Sequence, residues 1–163
     1  MPEQSIIAWL RRRAENVMVL LLSVMFATFI VQIFARYILN RPVGWSEEVI
    51  IATWLWTVLW GAAFVVRDSE EIRFDILHSN ISARARRILS IFTGAALVML
   101  YAISLPGAWS YVSFMKVERS AYLRVPLNWL YSIYVIFLVA CILRYCWIVI
   151  AALKTSVASD VDH

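Results

Sequence analysis

Four apolar runs, each about twenty residues or longer, set the limits on what this chain can be. They lie at about 17–39, 48–66, 88–114 and 129–153. At 1.5 Å rise per residue, about 20 apolar residues cover the roughly 30 Å hydrocarbon core of a bilayer. A water-soluble domain of 163 residues cannot hide four such segments in one core, because it still exposes much of its surface. The composition agrees, with 63% hydrophobic and 16% charged residues, against about 45–50% and about 25% in soluble domains. The expected fold class is therefore an all-α integral membrane protein. It forms one membrane domain over 1–163, with four transmembrane helices and short amphipathic interfacial helix segments.

The connecting segments carry the charge. Ile6, Ile7, Trp9 and Leu10 precede Arg11, Arg12 and Arg13, a mixture suited to a brief surface turn on the membrane. The apolar run that follows is too long for a signal-peptide core, so it reads as a retained first span. Asn40 to Gly44 is a turn, after which Ser46 can cap the second helix with Glu47 and Glu48 in its first turn. Residues 67–87 form the longest polar segment. Ile72, Ile76, Leu77, Ile81 and Ile88 recur there at near-helical spacing, as in an interfacial helix. Pro106-Gly107 is expected to kink the third span.

Orientation follows from the basic residues. With a cytoplasmic N-terminus, Arg11, Arg12, Arg13, Arg67, Arg73, Arg84, Arg86, Arg87 and Lys154 lie inside, nine of the fifteen Lys and Arg. Arg41, Lys116, Arg119 and Arg124, four in all, lie outside, and Arg36 and Arg144 fall within spans. The asymmetry predicts both termini in the cytoplasm. The same distribution attributes the net charge of +4 to loop cations and not to nucleic-acid binding.

Catalytic and cofactor chemistry finds little support. A bis-His haem site needs imidazoles within the spans, and the two histidines are His78, in a loop, and His163, the last residue. No carboxylate–His cluster occurs at metal-ligand spacing on any helix, and the hydroxyls within spans have no His base nearby. Cys141 and Cys146 read as buried thiols. Charged groups near lipid are more informative, since each is costly unless paired or wet. The short turn brings Arg36 to a depth similar to Glu47 and Glu48, so an ion pair across the first hairpin is expected. Arg144 lies deeper, with no acid in the middle of any span, which disfavours a self-contained proton relay. Trp54, Trp56 and Trp60, followed by Gly61-Ala62-Ala63, form a surface suited to close helix packing, within the chain or against a second protein. The alternatives left open are a four-helix membrane enzyme, a membrane anchor subunit of another complex and a stand-alone small transporter.

One series of residues is specific. Arg36-Tyr37, Trp45-Ser46-Glu47-Glu48, Trp54, Gly61-Ala62-Ala63, Arg67, Ile72 and Asp75-Ile76-Leu77 are followed by Ser120-Ala121 and Val125-Pro126-Leu127-Asn128-Trp129. In order and spacing the series resembles the small membrane subunit (DctQ type) of tripartite ATP-independent periplasmic, or TRAP, transporters. Glu71 stands where a His is common in that family, and the Pro often found early in the last span is missing around Ser132 to Tyr134. The resemblance implies a non-enzymatic, cofactor-free subunit in the bacterial inner membrane. Its implied partners are a large permease subunit (DctM type), a periplasmic solute-binding protein and membrane lipids. Uptake of an organic acid would be driven by an ion gradient such as sodium symport. It also implies roles for residues. Trp54, Trp56, Trp60, Gly61 and Ala63 would pack against the large subunit. Arg36, Glu47 and Glu48 would fix the outer hairpin, and Arg67 and Asp75 the inner loop. Arg41, Lys116, Arg119 and Arg124 would face the docking binding protein.

Overall fold

The computed structural model describes residues 2–41, 43–66 and 83–161. Among them are four helices long and apolar enough to cross a membrane and no strand, apart from an isolated bridge between Arg119 and Pro126. Helix α1 spans Pro2–Tyr37, and its 36 residues make a rod of about 54 Å, longer than the hydrocarbon core requires. The segment before residue 17, expected as a surface turn, is instead the start of this helix. No Gly or Pro interrupts it between Gln4 and Asn16, and Arg11 and Glu15 stand at the i,i+4 spacing that supports a helix. Beyond its end, Asn40 adopts a left-handed backbone (φ 50°), which Asn tolerates better than most residues. The Arg41 N–H then returns to the Ala35 carbonyl at 3.1 Å.

Helix α2 spans Gly44–Trp60 and widens into a π-helical turn at Gly61–Val65, closed by the Val66 N–H on the Gly61 carbonyl at 2.9 Å. Ser46 is not its N-cap. The helix begins two residues earlier with Val43 extended at the cap position, and Ser46 is fully buried. A buried hydroxyl needs an acceptor, and that of Ser46 donates to the Val43 carbonyl at 2.6 Å. Helix α3 spans Ala83–Phe114 and continues through Pro106, and helix α4 spans Leu127–Val161. The stretches apolar enough to cross a bilayer are Ala8–Tyr37, Gly44–Val65, Ile88–Phe114 and Leu127–Ala151. The expected interfacial helix, with Arg67 and Asp75, lies outside the described residues.

The chain divides into two compact units, Met1–Val66 with Ser110–Phe137, and Arg67–Trp109 with Leu138–His163. In the first, α1 packs against α2 and the π-helical turn. Ala14, Ala35, Ala63, Thr28 and Thr57 are buried there, small side chains that let helices approach closely in lipid. Ile133 of α4 is fully buried, and Tyr131 packs tilted against Tyr111 and stacked on Tyr134, at centroid distances of 5.6 and 5.9 Å. In the second unit Gly94 of α3 faces Val149 of α4. A Cβ there would lie 2.7 Å from Val149 Cγ2, so a larger residue would push the helices apart.

Candidate partner interface

Six hydroxyls inside the spans are satisfied locally. Ser23, Thr28, Thr53, Thr57 and Ser104 each donate to the carbonyl four residues earlier, and Ser132 to that of Trp129, over 2.6–2.9 Å. Lipid offers no acceptor, so this back-bonding satisfies these hydroxyls within their own helices.

Two indoles do the same across helices. Trp56 Nε1 donates to the Leu130 carbonyl of α4 at 2.9 Å, and Trp60 Nε1 to the Ala14 carbonyl of α1 at 3.1 Å. Beside Trp60, Arg11 uses its guanidinium twice, through Nη2 to the Val65 carbonyl at 3.0 Å and through Nε to Glu15 at 3.2 Å. The first contact places a cation on a carbonyl at the C-terminal end of the α2 rod, where the helix dipole is negative. Gly61 lies against Met18, 3.3–3.4 Å from its terminal atoms if a Cβ is added. Arg11, Trp60 and Gly61 thus fasten one end of α2 to α1.

The other end of α2 is held by the α3–α4 loop. One oxygen of Glu48 accepts the Tyr122 N–H at 2.8 Å, and the other accepts the Leu123 N–H at 3.0 Å. The loop closes on itself through the Ser120 N–H to the Val125 carbonyl, the Val125 N–H to Ser120 Oγ and the Leu127 N–H to the Glu118 carbonyl, all 3.0–3.2 Å. Arg124 takes the left-handed conformation (φ 53°) at its tip. The Tyr122 ring lies over Gly44, where an added Cβ would overlap it. Lys116, Val117, Glu118, Arg119, Tyr122, Leu123 and Arg124 are left exposed.

The residues singled out in the sequence divide accordingly. Trp56, Trp60, Gly61 and Ala63 face the chain's own helices, whereas Trp54 is 57% exposed. With Ile51 and Val58, also exposed, Trp54 forms a stripe along α2 at i, i+3, i+7. Among the described residues Arg36 makes no ion pair with Glu47 or Glu48. Arg36 and Glu47 are exposed, and Glu48 instead binds backbone 74 and 75 residues away. Arg41, Lys116, Arg119 and Arg124 are exposed. Arg11, Gly44, Met18 and Tyr122 were not marked as site residues by the sequence. The Arg11–Glu15 spacing was the one available signal, and nothing local pointed to Val65 or to Tyr122.

Four helices long and apolar enough to cross a membrane define a multi-pass helical membrane protein. The family model described as tripartite ATP-independent periplasmic transporters, DctQ component, matches residues 25–155. The chain belongs to this family, a transporter component and not an enzyme. It is similar to the C4-dicarboxylate TRAP transporter small permease protein DctQ of Vibrio cholerae serotype O1, with 29% identity over 90 residues. That match covers 55% of this chain and 39% of the relative, so it spans about two fifths of the relative's length.

Proposed function

We propose that this chain is the small subunit of a TRAP permease in the bacterial inner membrane and that it moves no solute by itself. Both termini lie in the cytoplasm, and a large permease subunit (DctM type) packs against it. The paired subunits form the fixed scaffold for ion-gradient-driven, sodium-coupled uptake of an organic acid, delivered by a periplasmic binding protein. The observation that carries this reading is the family match over 25–155, joined to helices in which Thr28, Thr57, Trp56 and Trp60 are bonded to the chain's own backbone. Such helices offer lipid and protein contact instead of solute ligands. The stripe of Ile51, Trp54 and Val58 supplies packing surface toward the large subunit. Arg41, Lys116, Arg119 and Arg124 supply positive charge toward an acidic face of the binding protein. The relative's name makes a dicarboxylate such as succinate the first solute to test.

Affinity capture of the tagged chain from its native membrane should bring down a large multi-span subunit. Proteoliposomes holding both subunits, with binding protein added, should take up succinate or another organic acid on a sodium gradient, and either subunit alone should not. Uptake by this chain alone would overturn the reading.

A further inference from the structure

We propose that Glu48 is a positioning residue for docking: by holding the Tyr122 and Leu123 backbone it keeps the α3–α4 loop folded in the shape that the binding protein meets. This rests on the docking reading above. Glu48 sits in the first turns of α2, a rod fastened at its far end by Arg11 and Trp60, so it is a fixed point to which a loop can be tied. A carboxylate taking one backbone N–H on each oxygen fixes both the distance and the direction of the loop. The remaining loop bonds, 118 to 127 and 120 to 125, then close a short turn. Lys116, Arg119 and Arg124 project from the exposed loop with Val117 and Tyr122, which are 83% and 67% exposed. An exposed apolar and cationic surface on an ordered turn fits an acidic soluble protein that binds and leaves repeatedly. Ordering the loop in advance lowers the entropy lost at each encounter.

The charge of Glu48 makes the idea testable, because clamp and electrostatics predict opposite signs. Removing a negative group that binds the cationic loop should strengthen attraction to an acidic partner if charge is all that matters. If Glu48 is a clamp, its removal weakens docking. The assay is biolayer interferometry of the cognate periplasmic binding protein on the two-subunit complex in nanodiscs, with and without succinate. It is paired with hydrogen exchange at the Tyr122 and Leu123 amides.

Glu48→Ala should weaken affinity about tenfold, mainly through a faster off-rate, and should expose both amides to exchange. Glu48→Gln, which keeps one acceptor and the side-chain shape, should fall between. Gly44→Ala leaves every charge in place but displaces the Tyr122 ring, and it should also weaken docking. By contrast, Lys116→Ala with Arg119→Ala and Arg124→Ala should lower the on-rate and flatten its salt dependence. If that triple variant docks normally, the docking reading itself fails. If it docks poorly while Glu48→Ala binds as well as or better than the parent, the docking reading survives and the positioning role is overturned. Unchanged amide protection in Glu48→Ala overturns it as well.

Discussion

Trp56 and Trp60 each carry an indole N–H that lipid cannot accept, and each finds a backbone carbonyl on a different helix. A hydrogen bond of this kind within a membrane bundle is worth about 0.6–1 kcal/mol. Trp60→Phe keeps most of the ring volume and its contact with Phe64 but loses the bond to Ala14. It should lower the apparent melting temperature of the purified subunit by a few degrees. Trp54→Phe should leave that temperature unchanged, because the exposed indole makes no bond among the described residues. Trp54→Ala should instead reduce recovery of the large subunit in affinity capture, and full recovery would remove Trp54 from the proposed contact. Arg11 joins its cation to a neutral carbonyl and to Glu15, so Arg11→Met should cost about 1–2 kcal/mol. Glu15→Gln should cost less, because the Val65 bond remains. The same unfolding assay ranks the two, and a larger loss from Glu15→Gln would reverse the assigned roles.

At the scale of elements, the α1–α2 hairpin depends on close approach at the π-helical turn. An added methyl at Gly61 would sit 3.3–3.4 Å from the flexible end of Met18, which can yield, so Gly61→Ala should be tolerated. Gly61→Leu would drive its branch into α1 and should cost about 1–3 kcal/mol through overpacking, read as a drop in melting temperature. The helices themselves were legible, because apolar length alone sets what can cross a bilayer. Their ends were less so. Ser46 has the chemistry of a cap, but Gly44 and Trp45 extend the helix ahead of it, and burial turned its hydroxyl back to Val43. The expected pair of Arg36 with Glu47 or Glu48 followed from nearness in the chain and from charge. A carboxylate can equally be satisfied by backbone N–H groups, and the loop that offers them lies 74 residues away, where no short-range pattern could point to it. Trp54, Trp56 and Trp60 share one run, yet only contacts with α1 and α4 separate the inward pair from the exposed member.

For the whole molecule, the decisive property is which way the chain crosses the membrane, since the proposed docking surface works only if it faces the periplasm. If all four helices cross, the α1–α2 turn shares a side with the α3–α4 loop. Cations are harder to translocate than to retain, and nine of fifteen Lys and Arg fall on the side assigned to the cytoplasm. The four on the other side include Lys116, Arg119 and Arg124, crowded into the loop that Glu48 holds. With the proposed cytoplasmic N-terminus, this positive charge is kept on the less favourable side against the insertion bias, which argues for a use there. Single cysteines can read the arrangement once Cys141 and Cys146 are replaced by Ala. In intact cells with a permeabilised outer membrane, a membrane-impermeant maleimide should label Lys116→Cys. It should leave Ser79→Cys and Ser159→Cys unlabelled until the inner membrane is opened. Labelling of Ser79→Cys from outside would invert the orientation. It would place Lys116, Arg119 and Arg124 in the cytoplasm, beyond reach of any periplasmic partner.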